Sequence, residues 1–255
     1  NRPPHSVTIS EGRLESSLSQ DNLKFPLIIN GTWKPASCNP VQHVAVIIPF
    51  RNREEHLHIL LKSIIPILVK QKVHLHIFVA EQYGNQAFNK GRVMNAAFLE
   101  VSKMSDFDCF IFHDVDLIPE DDRITYLCDD RPKHMSPSVD VLKYMLLYQC
   151  LVGGVIAFPP AHFIALNGYS NLYWGWGAED DDMSYSEMVV GERRYTLLGQ
   201  TKDIYEQDGL NSVQYDLISV RRTHYYTHLM INVGPAPSNT DSIDDIIRMV
   251  SWKNS

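Results

Sequence analysis

A regular alternation of short apolar runs with helical repeats constrains the fold of this chain more than any other feature of its sequence. Residues 43–50 (HVAVIIPF) form a continuous apolar run that ends at a proline and a polar Arg-Asn-Arg segment. This pattern is typical of a strand that is buried on both faces of a sheet. Leucines and isoleucines at helical spacing follow over 54–70, with two acidic residues in the first turn, where the helix dipole favours them. We expect a helix here that Pro66 kinks or ends.

The alternation continues along the chain. We predict a second strand at 75–80, a helix from about Phe88 to Lys103, and a third strand at 109–113. Strands that are separated by helices in this way indicate an α/β fold with a doubly wound, parallel sheet.

The two ends of the chain differ from this central region. The first forty residues show no sustained hydrophobic period, so we expect a loosely ordered N-terminal arm over 1–42. A single domain is predicted over 43–234. The remaining tail, 235–255, carries isoleucines and a valine at near-helical spacing and is predicted to dock as a short amphipathic helix.

Charge and the N-terminal sequence exclude some classes of protein. The chain has 23 Lys and Arg against 30 Asp and Glu, a net charge of −7, which argues against a nucleic-acid binder. No basic segment followed by an apolar run is found near the N-terminus, so any membrane attachment would depend on an anchor that this chain lacks. The triplet Asn30-Gly31-Thr32 is an acceptor for N-glycosylation and favours the secretory pathway, although such triplets also arise by chance.

Charged residues follow the first and third predicted strands, where ligands bind in open α/β sheets. In an extended Asp114-Val115-Asp116 segment, the two carboxylates would point to alternate sides, one towards a divalent metal and the other towards a sugar hydroxyl. Arg51 and Arg53 would face phosphate oxygens from the opposite wall. The alternative is that the acids lie on an ordinary solvated loop.

A second acidic cluster spans 174–182 (WGWGAEDDD), where two tryptophans precede four consecutive carboxylates. Adjacent carboxylates repel one another, which indicates a functional role, and aromatic rings beside acids are typical of carbohydrate sites. The alternative is an acidic loop that caps a helix, with the tryptophans in the core.

Five segments together resemble the β-1,4-galactosyltransferase family, in that family's order and over about 38–234. They are PFRNR at 49–53, FIFHDVDLIP at 110–119, NGY at 167–169, YWGWGAEDDD at 173–182 and DGLNS at 208–212. The resemblance implies a GT-A fold, in which a Rossmann-like nucleotide-binding sheet is joined to a mixed C-terminal acceptor-binding part. It also implies an inverting, Mn²⁺-dependent glycosyltransferase that uses a UDP-sugar donor and a terminal N-acetylglucosamine acceptor on a glycan. Such enzymes are type II membrane proteins of the Golgi lumen.

The resemblance further implies roles for individual residues. Asp180 corresponds to the catalytic base, Glu179 is grouped with it as catalytic and positions the sugars together with Asp181, and Asp116 is the metal ligand. Lys90 stands where the family more often has arginine, so that a point charge replaces a planar fork. The implied donor-binding residues are Pro49, Phe50, Arg51, Arg53, Phe88, Lys90, Asp114, Val115, Leu151, Gly154, Trp176 and Gly177. The implied acceptor-binding residues are Tyr148, Trp176, Gly177, Asp180 and Asp181.

The resemblance implies that donor choice depends on Leu151, where vertebrate galactosyltransferases of this family carry tyrosine or a similar aromatic residue. Leucine removes a hydroxyl and frees volume beside the second carbon of the donor sugar, which admits an N-acetyl group. We therefore expect UDP-N-acetylgalactosamine as donor, with UDP-galactose as a side activity, because one pocket contact discriminates by only about 1–3 kcal/mol.

The resemblance also accounts for the cysteines. It implies a disulfide between Cys109 and Cys128, a bridge from Cys38 to a cysteine before Asn1, and a buried free thiol at Cys150.

One departure from the family lies after Asp182. The family carries a helix and a mobile loop there, with a Met and a His that complete the metal site, and neither has a counterpart at a matching position. The chain is a shortened isoform, a sequence that lacks the mobile loop, or a divergent member that binds metal differently, and we favour the second. We interpret His224, His228 and the other histidines, His134 included, as structural.

Three functions compete for this sequence. The leading one is N-acetylgalactosaminyl transfer, with β-1,4-galactosyl transfer proper as its variant. The second is a catalytically impaired protein that binds glycans or UDP-sugars, because two metal ligands are missing. A metal-dependent phosphohydrolase is the weakest, since nothing supplies a second metal site.

Overall fold

The architecture is one mixed sheet with helices on both faces. The computed structural model describes residues 28–145, 152–175, 179–180 and 207–236. The strands in those ranges are β1 (Thr32–Trp33), β2 (His43–Phe50), β3 (His74–Gln82), β4 (Cys109–His113), β5 (Lys133–His134), β6 (Val155–Phe158), β7 (Asp216–Arg222) and β8 (Thr227–Asn232). The helices are α1 (Glu54–Lys70), α2 (Lys90–Ser102) and α3 (Pro160–Ala165), with a 3₁₀ turn at Asp140–Leu142.

The strands lie in the order β5-β6-β4-β2-β3-β8-β7, and β1 pairs with β3. The four central strands, β4, β2, β3 and β8, are parallel, while β5, β6, β7 and β1 join antiparallel. A parallel centre brings the carboxyl ends of its strands to one edge of the sheet. The predicted α/β fold is therefore confirmed, and the parallel centre of its sheet is Rossmann-like.

Side chains of β2 alternate between two cores. Val44, Val46 and Ile48 pack with α1 on one face, while Ala45 and Ile47 pack with α2 on the other, and all five are fully buried. Because both faces are covered, the strand is apolar at every position rather than at alternate ones. The continuous apolar run that marked this segment in the sequence has this cause.

Pro66 does not end α1. The helix continues through it to Lys70, although proline removes one intrahelical hydrogen bond. Ile64, Ile65 and Leu68 on either side are fully buried against the sheet. Tertiary packing of this apolar face holds the last turn in place despite the proline.

Part of the predicted N-terminal arm joins the sheet. Ile28 is fully buried, and β1 pairs with the first half of β3, at an edge that β8 leaves uncovered. The Ile77 amide donates to the Gly31 carbonyl at 3.0 Å. The expectation of a loosely ordered arm is therefore wrong for 28–33, because this segment satisfies backbone groups of β3, while the domain boundaries stay predictions. In the part of the chain described, no helix has the length and hydropathy that crossing a bilayer requires.

Candidate functional site

Predicted site residues converge at the carboxyl edge of the parallel strands. Phe50 ends β2 and is buried, and Asp114 follows β4 directly. The Asp114 amide donates to the Gly154 carbonyl at 3.0 Å, which ties the end of β4 to the turn before β6. The edge of the sheet thus brings together segments that lie about a hundred residues apart in the sequence.

Lys90 links the two acidic segments. Its Nζ lies 2.8 Å from Asp114 Oδ1 and 3.3 Å from Glu179 Oε1, and all three side chains are largely buried. Burial alone would lower the pKa of Lys90, but the carboxylates of Asp114, Glu179 and Asp180 outweigh it and raise the pKa, so the ammonium stays charged. Burial raises the pKa of Asp114 and of Glu179, although Lys90 opposes both shifts. Lys90 therefore acts as a counter-ion to Asp114 and Glu179.

The Asp-Val-Asp segment is a turn and not an extended strand. Val115 is buried, and the two acids bind different bases: Asp114 contacts Lys90, and Asp116 Oδ2 lies 3.1 Å from an Arg53 guanidinium nitrogen. The side chains of Arg53 and Asp116 are 50% and 47% exposed, so their ion pair is weak and open to exchange with a ligand. The turn directs the two carboxylates to different partners, and their predicted roles towards a metal and a sugar hydroxyl stay predictions.

Arg51 and Phe88 form a flat surface beside this edge. The guanidinium carbon of Arg51 lies 5.2 Å from the centre of the Phe88 ring, and one of its nitrogens donates to the Gln86 carbonyl at 2.5 Å. Gln82 donates to the Ala87 carbonyl and accepts from the Asn89 amide, which fixes the chain on both sides of Phe88. An arginine and an aromatic ring held in this way suit stacking with a planar base.

Asp180 lies against a glycine. A Cβ atom built on Gly153 would be 2.2 Å from Asp180 Oδ2, so only glycine allows this approach. Glu179, its neighbour, is buried and bound to Lys90. The two predicted catalytic carboxylates thus have different surroundings, one in an ion pair and one against the glycine turn.

A buried polar network connects the site to the start of α2. Asp208 accepts hydrogen bonds from Ser170 Oγ and from the backbone amide of Asn171. The side-chain oxygen of Asn171 accepts from Asn95 Nδ2 at 3.1 Å. The backbone carbonyl of Asn171 accepts from Asn89 Nδ2 at 2.9 Å. Burial raises the pKa of Asp208. Asn89 also caps α2 by accepting from the Arg92 amide at 2.8 Å. The DGLNS segment and the two residues that follow NGY therefore position the first residue of α2, which is Lys90.

Two residues near Asp180 were missed in the sequence. His134 and Ser136 both donate to the Gly153 carbonyl, at 2.8 and 2.9 Å. Burial lowers the pKa of His134, although Gly153 and Asp180 oppose the shift. The sequence gives little signal for them, because their partner lies 19 and 17 residues away and β5 is only two residues long.

The fit of a metal rests on Asp116. Its half-exposed carboxylate is a ligand type that suits Mn²⁺. No group of three His, Cys, Asp or Glu side chains that could hold a metal ion is found within the described ranges, and the sequence has no His between Asp180 and Asp208. The residues fit a metal that takes its other ligands from a bound phosphate and water, and not a complete protein cage.

Several predicted residues lie outside the described part of the chain. They are Tyr148, Cys150, Leu151, Trp176, Gly177 and Asp181. The predicted disulfide is confirmed between Cys109 and Cys128. Cys38 is exposed and has no disulfide partner among the described residues, and its predicted bridge stays a prediction. That bridge closes the loop that carries Asp114 and Asp116.

Comparison with known proteins gives concordant matches. Residues 4–129 match the family model described as the N-terminal region of glycosyl transferase group 7, and residues 133–188 match that of the N-terminal domain of galactosyltransferase. Cricetulus griseus β-1,4-galactosyltransferase 4 is 37% identical over 243 residues, which cover 85% of this chain and 71% of the relative. Homo sapiens β-1,4-galactosyltransferase 2 is 36% identical over 240 residues, 83% of this chain and 64% of the relative.

A solved structure agrees. A Drosophila β-1,4-galactosyltransferase 7 variant, crystallised with manganese, UDP-Gal and xylobiose, aligns with a TM-score of 0.60 and 27% identity. The alignment covers 75% of this chain and 94% of that one.

Proposed function

This chain belongs to the β-1,4-galactosyltransferase family, and from that premise we propose that it is an inverting glycosyltransferase. It transfers a sugar from a UDP-sugar to the 4-hydroxyl of a terminal N-acetylglucosamine on a glycan. The observation that carries the proposal is the meeting of Asp180, Lys90 and the Asp114–Asp116 turn at the carboxyl edge of the sheet.

The nucleotide would bind at the surface of Arg51 and Phe88. The stacked guanidinium and ring, 5.2 Å apart, offer planar surfaces to uracil, and Pro49 and Phe50 end β2 directly before Arg51. Arg53 would leave its exposed ion pair with Asp116 to contact a phosphate. Bidentate pairing with phosphate suits arginine and compensates for the lost contact.

Asp180 would act as the general base. Its carboxylate takes the proton from the acceptor 4-hydroxyl, and the oxygen attacks the anomeric carbon from the face opposite UDP, so the configuration inverts. Glu179 is bound to Lys90 and buried, which suits holding a sugar hydroxyl better than taking a proton. Gly153 sets the place of the base, because any side chain there would displace it.

A Mn²⁺ ion held by Asp116 would supply charge neutralisation for the departing UDP. Because Asp116 is the single predicted protein ligand, we expect metal binding to be weak without UDP and to strengthen with it.

The proposed donor is UDP-N-acetylgalactosamine, with UDP-galactose as the alternative. Leucine at 151 supports the larger donor by the volume argument given above. The relatives are β-1,4-galactosyltransferases, which supports the alternative.

The proposed location is the Golgi lumen, with attachment through a type II anchor. The relatives and the Cys109–Cys128 disulfide support an oxidising compartment. Asn30 of the glycosylation triplet is exposed, which is compatible with modification in the same pathway.

A transfer assay tests the proposal. The chain is incubated with Mn²⁺, a free N-acetylglucosaminide and either UDP-N-acetylgalactosamine or UDP-galactose. We expect faster N-acetylgalactosaminyl transfer, loss of transfer in Asp180→Asn, and a shift towards galactose in Leu151→Tyr. Asp122→Asn, an exposed acid paired with Lys70, is the matched control and should keep full activity.

Two outcomes would redirect the proposal. Preference for galactose in the unmodified chain would overturn the donor assignment and leave the mechanism standing. UDP binding without any product would favour the second candidate, a binding protein, which the missing Met and His ligands support.

A further inference from the structure

We propose that His134 and Ser136 are positioning residues for the transfer reaction, because together they fix the Gly153 carbonyl and thereby the turn on which Asp180 rests. This inference rests on the proposed function. We call the two side chains and the carbonyl the Gly153 clamp.

Both hydrogen bonds of the clamp meet at one oxygen atom. The His134 Nε2 group donates at 2.8 Å and the Ser136 hydroxyl at 2.9 Å, and since a carbonyl oxygen can only accept, His134 must carry its proton on Nε2. A carbonyl oxygen has two lone pairs, so the two donors satisfy it completely. The Ser136 oxygen also accepts from the Val155 amide at 2.8 Å, which ties the clamp to the start of β6.

The clamp fixes a peptide plane. In a trans peptide the carbonyl and the following amide point in opposite directions. With the Gly153 carbonyl held towards His134 and Ser136, the Gly154 amide points away from them. Gly154 is the residue predicted to contact the donor, and its positive φ of 90° keeps the turn in a conformation that favours glycine.

The same turn touches both halves of the acidic site. The Gly154 carbonyl accepts from the Asp114 amide at 3.0 Å, and a Cβ on Gly153 would be 2.2 Å from Asp180 Oδ2. Rotation of the Gly153–Gly154 peptide would therefore disturb two contacts of the turn. One is the contact of Gly153 with Asp180, and the other is the hydrogen bond between the Gly154 carbonyl and the Asp114 amide. The nucleotide surface of Arg51 and Phe88 is built by other strands and does not depend on the clamp.

Space around the clamp restricts rearrangement. A Cβ on Gly154 would be 2.6 Å from both Ser136 Oγ and Leu117 Cδ1. The turn is thus packed tightly against Ser136, and loss of one donor would leave the carbonyl with a single hydrogen bond rather than a new partner among these neighbours. A misplacement of about 1 Å at a reacting group can cost about 100-fold in rate.

Variants of His134 and Ser136 in the full chain test the clamp. His134→Leu removes the donor, His134→Gln keeps an N–H at similar reach, and Ser136→Ala removes the second donor. His162→Leu is the matched control, since His162 is also half-buried. It lies on α3, which follows the end of β6, and that end of β6 pairs with the amino end of β4, away from the site. Each variant is measured for kcat, for UDP affinity, and for amide hydrogen exchange of a peptide over 152–158 against one over 43–50.

We expect faster exchange over 152–158 alone in His134→Leu, a kcat lower by about 10- to 100-fold, and UDP affinity unchanged. His134→Gln should recover most of the rate, and Ser136→Ala should lose about fivefold, the equivalent of one hydrogen bond. A purely structural role would instead lower UDP affinity together with kcat. If His134→Leu fails to fold, His134→Gln and Ser136→Ala test the clamp through the same measurements of kcat, UDP affinity and hydrogen exchange.

Unchanged exchange over 152–158 in these variants would overturn the clamp itself. Faster exchange with unchanged kcat would overturn its role in positioning. If the unmodified chain binds UDP but makes no product, the proposed function fails, and the role in positioning fails with it, while the exchange data still decide whether the clamp exists.

Discussion

At the scale of single residues, Lys90 holds the acidic site together. Its ammonium contacts carboxylates from two segments that would otherwise repel each other, one after β4 and one at 179–180. The sequence predicted Lys90 as a nucleotide contact, and that role stays a prediction. Its partners Asp114 and Glu179, 24 and 89 positions further along the chain, could not be predicted, because these contacts depend on how α2 packs against the sheet.

Replacement of Lys90 should reveal this role as a loss of stability. Lys90→Met would leave Asp114 and Glu179 buried without a counter-ion, and we expect the free energy of unfolding to fall by about 3 kcal/mol. Lys90→Arg, which keeps the charge, is the control and should lose less than about 1 kcal/mol. Urea unfolding followed by tryptophan fluorescence measures both. Equal stability of the Met variant and the unmodified chain would contradict the counter-ion role.

Gly153 should separate activity from stability. Gly153→Ala would push against a carboxylate that can rotate, so we expect about 100-fold lower kcat with at most about 1 kcal/mol of destabilisation. In Gly91→Ala the new Cβ would meet the Ser170 backbone carbonyl at 2.2 Å, which cannot rotate away, so stability should fall by about 1–3 kcal/mol. Transfer kinetics and thermal unfolding of both variants test this contrast. It fails if Gly153→Ala keeps its rate.

At the scale of elements, hydrophobic period decided what was predictable. Strand β4 and helix α1 were predicted with the bounds that the structure has, because β4 is buried throughout and α1 carries one long apolar stripe. β3 extends beyond its prediction to Gln82, and β1, β5, β6 and β7 were not predicted. For β1 and β5 the reason is that two-residue strands carry no period. The two-residue strands β1 and β5 form because each pairs with backbone groups of a longer strand, β3 and β6 respectively.

The amino ends of β2 and β3 carry a histidine cluster that should make stability depend on pH. The rings of His43 and His74 are stacked 3.8 Å apart, and His76 stacks on Phe78. Burial lowers the pKa of His74 and of His76 from 6.5 to about 4, and nearby cations and the other histidines of the cluster add to the shift. Below pH 6.5 these two histidines bind protons in the unfolded chain but stay neutral in the folded chain until about pH 4. The free energy of unfolding should therefore fall as the pH is lowered from 6.5 to about 4.

Unfolding in urea across that pH range tests the cluster. His74→Phe keeps a ring for stacking but cannot bind a proton, so its stability should depend less steeply on pH. His56→Gln, on the exposed surface of α1, is the control and should follow the unmodified chain. Identical slopes for His74→Phe and the unmodified chain would contradict this account.

At the scale of the whole molecule, the disulfide joins the sheet to the end of the loop that carries Asp114 and Asp116. Cys109 lies in β4 and Cys128 is 19 residues further on, and a bridge over a loop of this size is worth about 3 kcal/mol. Replacing both cysteines with alanine should therefore lower the free energy of unfolding by about 3 kcal/mol. Cys38→Ala, at an exposed cysteine without a disulfide partner among the described residues, is the control and should change little. Equal urea midpoints for the double variant and the control would contradict the stabilising role.

The family and the α/β fold could be predicted from the sequence, because several motifs follow the sheet edge in order. The Gly153 clamp, the Lys90 bridge and the network around Asp208 could not, since each joins residues whose neighbours carry no distinguishing pattern. The motifs therefore identified candidate site residues, while the contacts that hold those residues in place came from the structure.

The central claim is that this chain transfers a sugar with inversion and with Asp180 as base. The most direct measurement is the proton NMR spectrum of the disaccharide formed from a UDP-sugar, Mn²⁺ and an N-acetylglucosaminide, for the unmodified chain and for Asp180→Asn. We predict a β-linked product at the 4-hydroxyl from the α-linked donor, and no product from the variant. An α-linked product, a linkage at another hydroxyl, or equal turnover by Asp180→Asn would contradict the account.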